Sequence, residues 1–154
     1  MANDGSDEIR PGLQEALLGY HLRRASAVFA SDFAAATAGT GMRQVLFGIL
    51  SVVATNPGIS QSQVGAALGI QRANMVSLSN ELVERGLMRR DVAPEDRRAF
   101  ALTLTPEGEA LLIDCLERIG RHEDQLLAQV SSAERHLLLR LLQRIHAQSS
   151  DVEA

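Results

Sequence analysis

Three groups of side chains have types and spacings that could do chemistry. Arg72, Asn74 and Ser77 recur within six residues, next to Gln71 and the small Ala73. On one helix they would set hydrogen-bond donors and acceptors among small side chains. Base edges in a major groove about 12 Å wide are reached in this way, because bulky residues hold a backbone away. Arg97 and Arg98 follow Asp96 in a Pro-containing segment that reads as a tight turn, and forked guanidiniums suit phosphates and base edges. Tyr20, His21, Arg23 and Arg24 form a polar cluster inside an otherwise apolar stretch. The cluster is either a solvated or interface patch or a site for an anionic ligand, which paired arginines can grip.

Other chemistry lacks its residues. The four histidines, His21, His122, His136 and His146, show no i, i+4 spacing, so no metal site is expected. Cys115, the single cysteine, falls in line with Leu112 and Ile119 and reads as a small core residue rather than a redox sensor. There is no nucleophile with a base at recognisable spacing, no phosphate-binding glycine loop and no carboxylate pair. The expectation is therefore no catalytic residues and no cofactor. An enzyme using Tyr20, His21 and Arg24 remains one alternative; a winged-helix interaction module that does not bind DNA is another.

The elements that must position these groups can be read from periodicity and punctuation. Leu18, Leu22, Ala25, Phe29 and Phe33 form one stripe of a helix introduced by Pro11 and Gly12 and running to about Ala36. After the Gly-rich Ala38–Met42, helical spacing resumes from Arg43 to Ala54 and stops at Asn56, Pro57 and Gly58. Ile59 can form a minimal strand, and Ser60 caps a helix from Gln61 to Leu68 that Gly69 ends. The next helix spans about Gln71 to Arg85. Met75, Leu78 and Leu82 face inward and Ala73, Ser77, Asn80 and Glu84 outward, at 100° per residue. Leu87 to Val92 and Ala99 to Leu104 read as strands joined by Ala93–Arg98. Thr105 and Pro106 open a long helix to about Val130, and Ser131 caps a last one from Ser132 to about Ala147.

The layout is that of a mainly α protein: a winged helix-turn-helix domain with N- and C-terminal dimerisation helices. The expected divisions are a disordered tail at 1–10, dimerisation helices at 11–37 and 106–147, and a DNA-binding region at 38–105. Candidate DNA contacts are Ser60, Gln61, Gln71, Arg72, Ala73, Asn74, Ser77, Asp96, Arg97 and Arg98; candidate ligand contacts are Tyr20, His21, Arg23 and Arg24. The terminal helices are longer than one such domain can cover, which predicts a homodimer.

Composition sets the bounds. With 154 residues, 45% of them hydrophobic and 3% aromatic, the chain suits one helix-packed domain. The net charge of -4 excludes a protein coated in positive charge, so DNA contact must be local. All 15 basic residues are arginine, which a compositional bias of the source would also produce. No run reaches the roughly 18 apolar residues of a membrane span and the start is polar, so a cytoplasmic protein without a membrane partner is expected.

The stretch LGIQRANMVSLSNELVERGLMRR followed by PEDRRAFALTLTPEGEAL resembles the MarR family of bacterial transcriptional regulators, over roughly residues 13 to 147. The most specific part is an acidic residue, a spacer and arginine in the wing, then L-T-x-x-G opening a helix. The resemblance implies a homodimer placing recognition helices in successive major grooves and wings in the flanking minor grooves. Asp96 and Arg98 match the family's wing residues, which implies loop bracing by Asp96 and minor-groove insertion by Arg98, where a narrow groove concentrates negative potential. Gln71 and Val76 stand where the family favours Ser or Thr. The segment GYHLRRAS is similar to that of relatives answering to hydroxycinnamoyl-CoA thioesters. The resemblance thus implies double-stranded DNA, a second copy and an aromatic or acyl-CoA effector as partners, and repression relieved by ligand.

Overall fold

The structure, a computed structural model, describes residues 12–92 and 100–149. A 3₁₀ turn, Gly12–Ala16, precedes α1 (Leu18–Ala36), α2 (Gln44–Thr55), β1 (Ile59–Ser60), α3 (Gln61–Leu68), α4 (Arg72–Glu84), β2 (Met88–Val92), β3 (Phe100–Leu104), α5 (Pro106–Leu126) and α6 (Ser132–Ser149). The three strands form an antiparallel sheet in the order β1-β3-β2, with Ile59 opposite Leu102 and Arg90 opposite Leu102 on the other side. The expected mainly α winged helix-turn-helix architecture is the one observed.

The core is built on α2, whose Leu46, Ile49, Leu50 and Val53 are all buried. Around it close Val64 of α3, Met75 and Leu82 of α4, Leu87 and Met88 after it, Leu102 of β3, and Leu112 and Cys115 of α5. Phe33 of α1 meets Phe47 of α2 edge-on at 5.6 Å between ring centres, a favoured aromatic geometry.

Local chemistry fixes the ends of the helix-turn-helix. The Ser60 hydroxyl accepts from the Gln63 amide, and the Gln63 side chain accepts from the Ser60 amide, a reciprocal capping box. Gly69 takes φ 63°, a conformation costly for a residue with Cβ, and so lets the chain reverse into α4. The Ile70 amide closes the turn on Gly65 O at 2.8 Å. At the entry to α5, Thr105 accepts from the Gly108 amide and donates to Gly86 O, and its own amide binds Leu87 O. Glycine at 108 is a matter of space: a Cβ there would lie 1.9 Å from Leu87 O.

Two helix boundaries differ from the sequence expectation. The first helix does not run unbroken from the Pro11–Gly12 region, because Leu17 takes ψ 125° between the 3₁₀ turn and α1. Leu13 and Leu17 are 100% and 61% exposed among the described residues, so packing there does not extend the helix. The long helix ends at Leu126 rather than Val130. Arg135 reaches back from α6 to Leu127 O and Val130 O at 2.7 and 3.1 Å and pairs with Asp124 at 2.7 Å, satisfying carbonyls that another helical turn would otherwise use. Ser131 caps α6 as expected, and the hydrogen bonds its hydroxyl and amide donate hold the Glu134 carboxyl below its ordinary pKa, favouring the carboxylate.

Candidate nucleic-acid interface

α4 is two-sided. Met75, Ser79 and Leu82 are buried beneath it, while Arg72, Ala73, Asn74, Val76, Ser77 and Asn80 are exposed, with Gln71 exposed at its N-cap. Gln71 makes no side-chain cap bond, which leaves its amide group available. Gln71, Asn74 and Ser77 line a groove of about 580 Å³, with Val45, Ile70 and Leu78 as its apolar side. The structure thus brings these candidates onto one surface with Arg72 and Ala73. Val76, 42% exposed, adds an apolar group suited to a thymine methyl.

Ser60 has a different role from its neighbours on α4: its hydroxyl is held by Gln63, so its first task is to start α3. Gln61 is half-buried at the first turn of the same helix. Asn80 accepts from Arg90 Nη2 at 2.8 Å, tying the exposed side of α4 to the wing strand β2. Arg89 stays exposed and approaches the Thr103 hydroxyl across the sheet. Asp96, Arg97 and Arg98, expected at the wing tip, lie outside the described residues, as does the expected tail at 1–10; β2 and β3 supply the two strands that carry the wing.

Tyr20, His21, Arg23 and Arg24 do come together, on the exposed first turns of α1. Arg24 Nη1 donates to the Tyr20 hydroxyl at 3.0 Å, and both guanidiniums lie 5.7 Å from the Tyr20 ring centre. The His21 ring packs edge-on against Tyr20, and its Nε2 hydrogen-bonds Glu15 O at 2.7 Å.

A cavity of about 450 Å³ farther along α1 was not expected. Its walls are Ala35, Ala36 and Ala38 on one side and Asp114, Arg118, Arg121, His122 and Gln125 of α5 on the other. Asp32 of α1 bonds His122 Nδ1 at 3.2 Å and Asp114 pairs with Arg118 at 2.8 Å. Arg121 spends only its Nε, on Glu117 O, and meets no carboxylate among the described residues. The signal was the polar stripe of Arg118, Arg121, His122 and Gln125, which flanks Cys115 on α5. Without its opposing helix this reads as a solvated face.

Cys115 is fully buried, and that burial raises its thiol pKa, so the unreactive protonated form dominates near neutral pH. A thiol reagent is expected to label native protein at least 100-fold more slowly than urea-unfolded protein; comparable rates would show the thiol to be accessible. Among the described residues no group of three His, Cys, Asp or Glu could hold a metal ion, and no helix is long and apolar enough to cross a membrane.

Known proteins share this arrangement. A family model described as MarR family matches residues 41–99, from the end of the α1–α2 segment to the wing. A protein of Thauera aromatica named as the transcriptional regulatory protein for the hcr operon is 37% identical over 154 residues, covering 99% of this chain and 93% of that one. The transcriptional repressor CouR bound to a 23-mer DNA duplex superposes with a TM-score of 0.86 at 35% identity, covering 90% of this chain and 99% of that one. CouR bound to p-coumaroyl-CoA gives 0.80 at 33% identity, over 90% and 98% of the two chains. With this identity sustained along almost its whole length and the family model lying over its helix-turn-helix, the chain belongs to the MarR family and is a DNA-binding transcriptional regulator, not an enzyme.

Proposed function

We propose that this chain is a repressor that grips a pseudo-palindromic operator as a homodimer and releases it when an anionic aromatic ligand or aromatic acyl-CoA thioester binds beside α1. The observation that carries the DNA half is the exposed Arg72–Asn74–Ser77 face of α4, presented by a buried underside between the capped turn and the wing strands. CouR, which superposes on this chain with a TM-score of 0.86, is bound to a DNA duplex in that structure. That supports reading this face as a DNA interface. Arg72, Asn74, Ser77 and Gln71 would contact the major groove and Arg98, braced by Asp96 and beside Arg97, the minor groove. Ser60 and Gln61 would lie against the backbone at the start of α3.

The dimer is supported by α6. Leu137, Leu138, Leu139, Leu141, Leu142 and Ile145 are all between 39% and 54% exposed, and no element of the described chain packs extensively on that helix. Segments 11–37 and 106–147 would thus join the two copies, with 38–105 as the DNA-binding region and the cytoplasm as its place of action.

The effector half rests on CouR's p-coumaroyl-CoA and on the surface of α1. Arg24 and Ala35 lie within about 20° of each other around that helix and about 16 Å apart along it. One extended thioester can therefore reach from the Tyr20–Arg24 cluster to the cavity at Arg118, Arg121 and His122. Guanidiniums at both ends suit phosphates or a carboxylate.

The test is a salt series of mobility shifts on the promoter beside its own gene, with and without p-coumaroyl-CoA. Wild type should bind and be released. Arg98→Ala should bind about 10- to 100-fold more weakly, as for loss of one well-placed groove contact. Wild-type affinity in that variant would remove the wing from the interface. Recovery of the thioester unchanged is expected after long incubation.

A further inference from the structure

Four parts of the chain meet in the segment between α1 and α2. The Thr37 hydroxyl closes α1 by donating to Phe33 O at 2.8 Å and to Met42 O at 3.2 Å. Thr40 donates to Thr37 O at 2.6 Å and accepts from the Met42 amide at 3.1 Å, and the buried Cys115 of α5 meets its side chain. The segment is thereby held in one shape. Its carbonyls at Thr40 and Gly41 are both taken by a single guanidinium, that of Arg85, the C-cap residue of α4: Nη2 donates to Thr40 O and Nη1 to Gly41 O, each at 3.0 Å.

The grip is braced and fitted. Glu81, one turn earlier in α4, stands 3.9 Å from Arg85 and also pairs with Arg43, the N-cap residue of α2. Gly41 has φ 68°, and a Cβ there would come within 3.3 Å of the Arg85 guanidinium. A planar fork satisfying two backbone acceptors at once defines an angle as well as a distance, which a point charge does not.

We propose that Arg85 is a positioning residue for operator recognition: by clasping the Thr40 and Gly41 carbonyls it fixes the pose of α4 against the end of α1, and so sets how far apart the two reading helices of a dimer stand. The inference rests on the operator-binding homodimer proposed above. Arg85 lies at the far end of α4 from Gln71 and Arg72, so its effect on DNA passes through α4 and not through contact. Each base pair added between half-sites moves them by about 3.4 Å and turns one against the other, which makes spacing the property that the clasp controls.

The experiment compares wild type, Arg85→Gln and Arg85→Lys on operators from the promoter fragment whose half-site spacing is changed by one or two base pairs in either direction. Wild type should prefer its own spacing by at least 30-fold. Arg85→Gln should bind that spacing 10- to 100-fold more weakly and lose no more than 3-fold on the altered ones, so that the preference collapses. Arg85→Lys, with one ammonium for two carbonyls, should keep part of it. A variant that is merely less stable would lose affinity on every spacing alike, and a wild-type preference in Arg85→Gln overturns the proposal. Amide exchange in the DNA-free protein gives a second reading: Arg85→Gln should speed exchange at least 10-fold both in residues 37–43 and in the last turn of α4. Unchanged exchange there also overturns it, as does accelerated exchange spread equally over α3. If wild type binds no fragment, the operator reading fails by itself, and the exchange measurement still decides whether the clasp holds α4.

Discussion

Gly108→Ala is expected to cost about 3 kcal/mol or more of folding stability, the upper range for forcing atoms into a packed site. A methyl at this position would sit 1.9 Å from Leu87 O, and backbone on both sides leaves no flexible side chain to yield. Relief would require α5 to lift from the chain leaving α4. That movement breaks the Thr105 bonds to Gly86 O and the Gly108 amide and disturbs Leu112 and Cys115, one and two turns on. For a chain of this length the melting temperature should fall by about 10 °C. Gly120→Ala is the control on the same helix: its Cβ would meet nothing within 4 Å, so helix propensity alone should make it neutral or up to about 1 kcal/mol more stable. Circular dichroism melts of both variants decide the matter. A Gly108→Ala melt within about 3 °C of wild type would show that the α4–α5 junction gives way easily.

Aspartate at both Leu138 and Leu142 is expected to separate the proposed homodimer. These side chains are 43% and 39% exposed in a single copy, so the charges cost little in the isolated chain. Across an interface they would sit unpaired in apolar surroundings, which costs several kcal/mol. Each leucine that a partner would otherwise bury contributes about 1 kcal/mol, half the figure for complete burial. Light scattering should report a monomer for the variant and a dimer for wild type at micromolar concentration. Operator affinity should fall at least 100-fold, because the second half-site no longer benefits from tethering. A dimeric double variant would move the interface elsewhere, for instance onto Leu13, Leu17 and Leu18 alone.

How much of this was legible in the sequence depends on how far away each residue's partner lies. The expected span of α3, Gln61 to Leu68, is the observed one, because Ser60 and Gly69 act on their immediate neighbours. The inward line of α4 was legible for the same reason: helical spacing alone places Met75 and Leu82. Cys115 is buried as its place in line with Leu112 indicated. The end of α5 was not legible, since it is set by Arg135 reaching back from the next helix. The cavity between α1 and α5 depends on helices whose contact pair, Asp32 and His122, is 90 residues apart. In the sequence Arg85 marks only the end of a helix, because its acceptors are backbone carbonyls 44 and 45 residues earlier, at positions whose side chains say nothing of them.

α1 is 19 residues of uninterrupted helix, about 28 Å of stiff rod. Its first turns carry Tyr20, Arg23 and Arg24; its last turn leads into the carbonyls that Arg85 clasps. A tilt of 5° about one end displaces the other by about 2.4 Å, close to the 3.4 Å step from one base pair to the next. In the reading proposed above, the rod would act as a lever, pushed by a ligand lying along it and answering at the clasp. Substitutions among its first turns would then retune which molecule pushes it without altering the residues of α4 that face DNA.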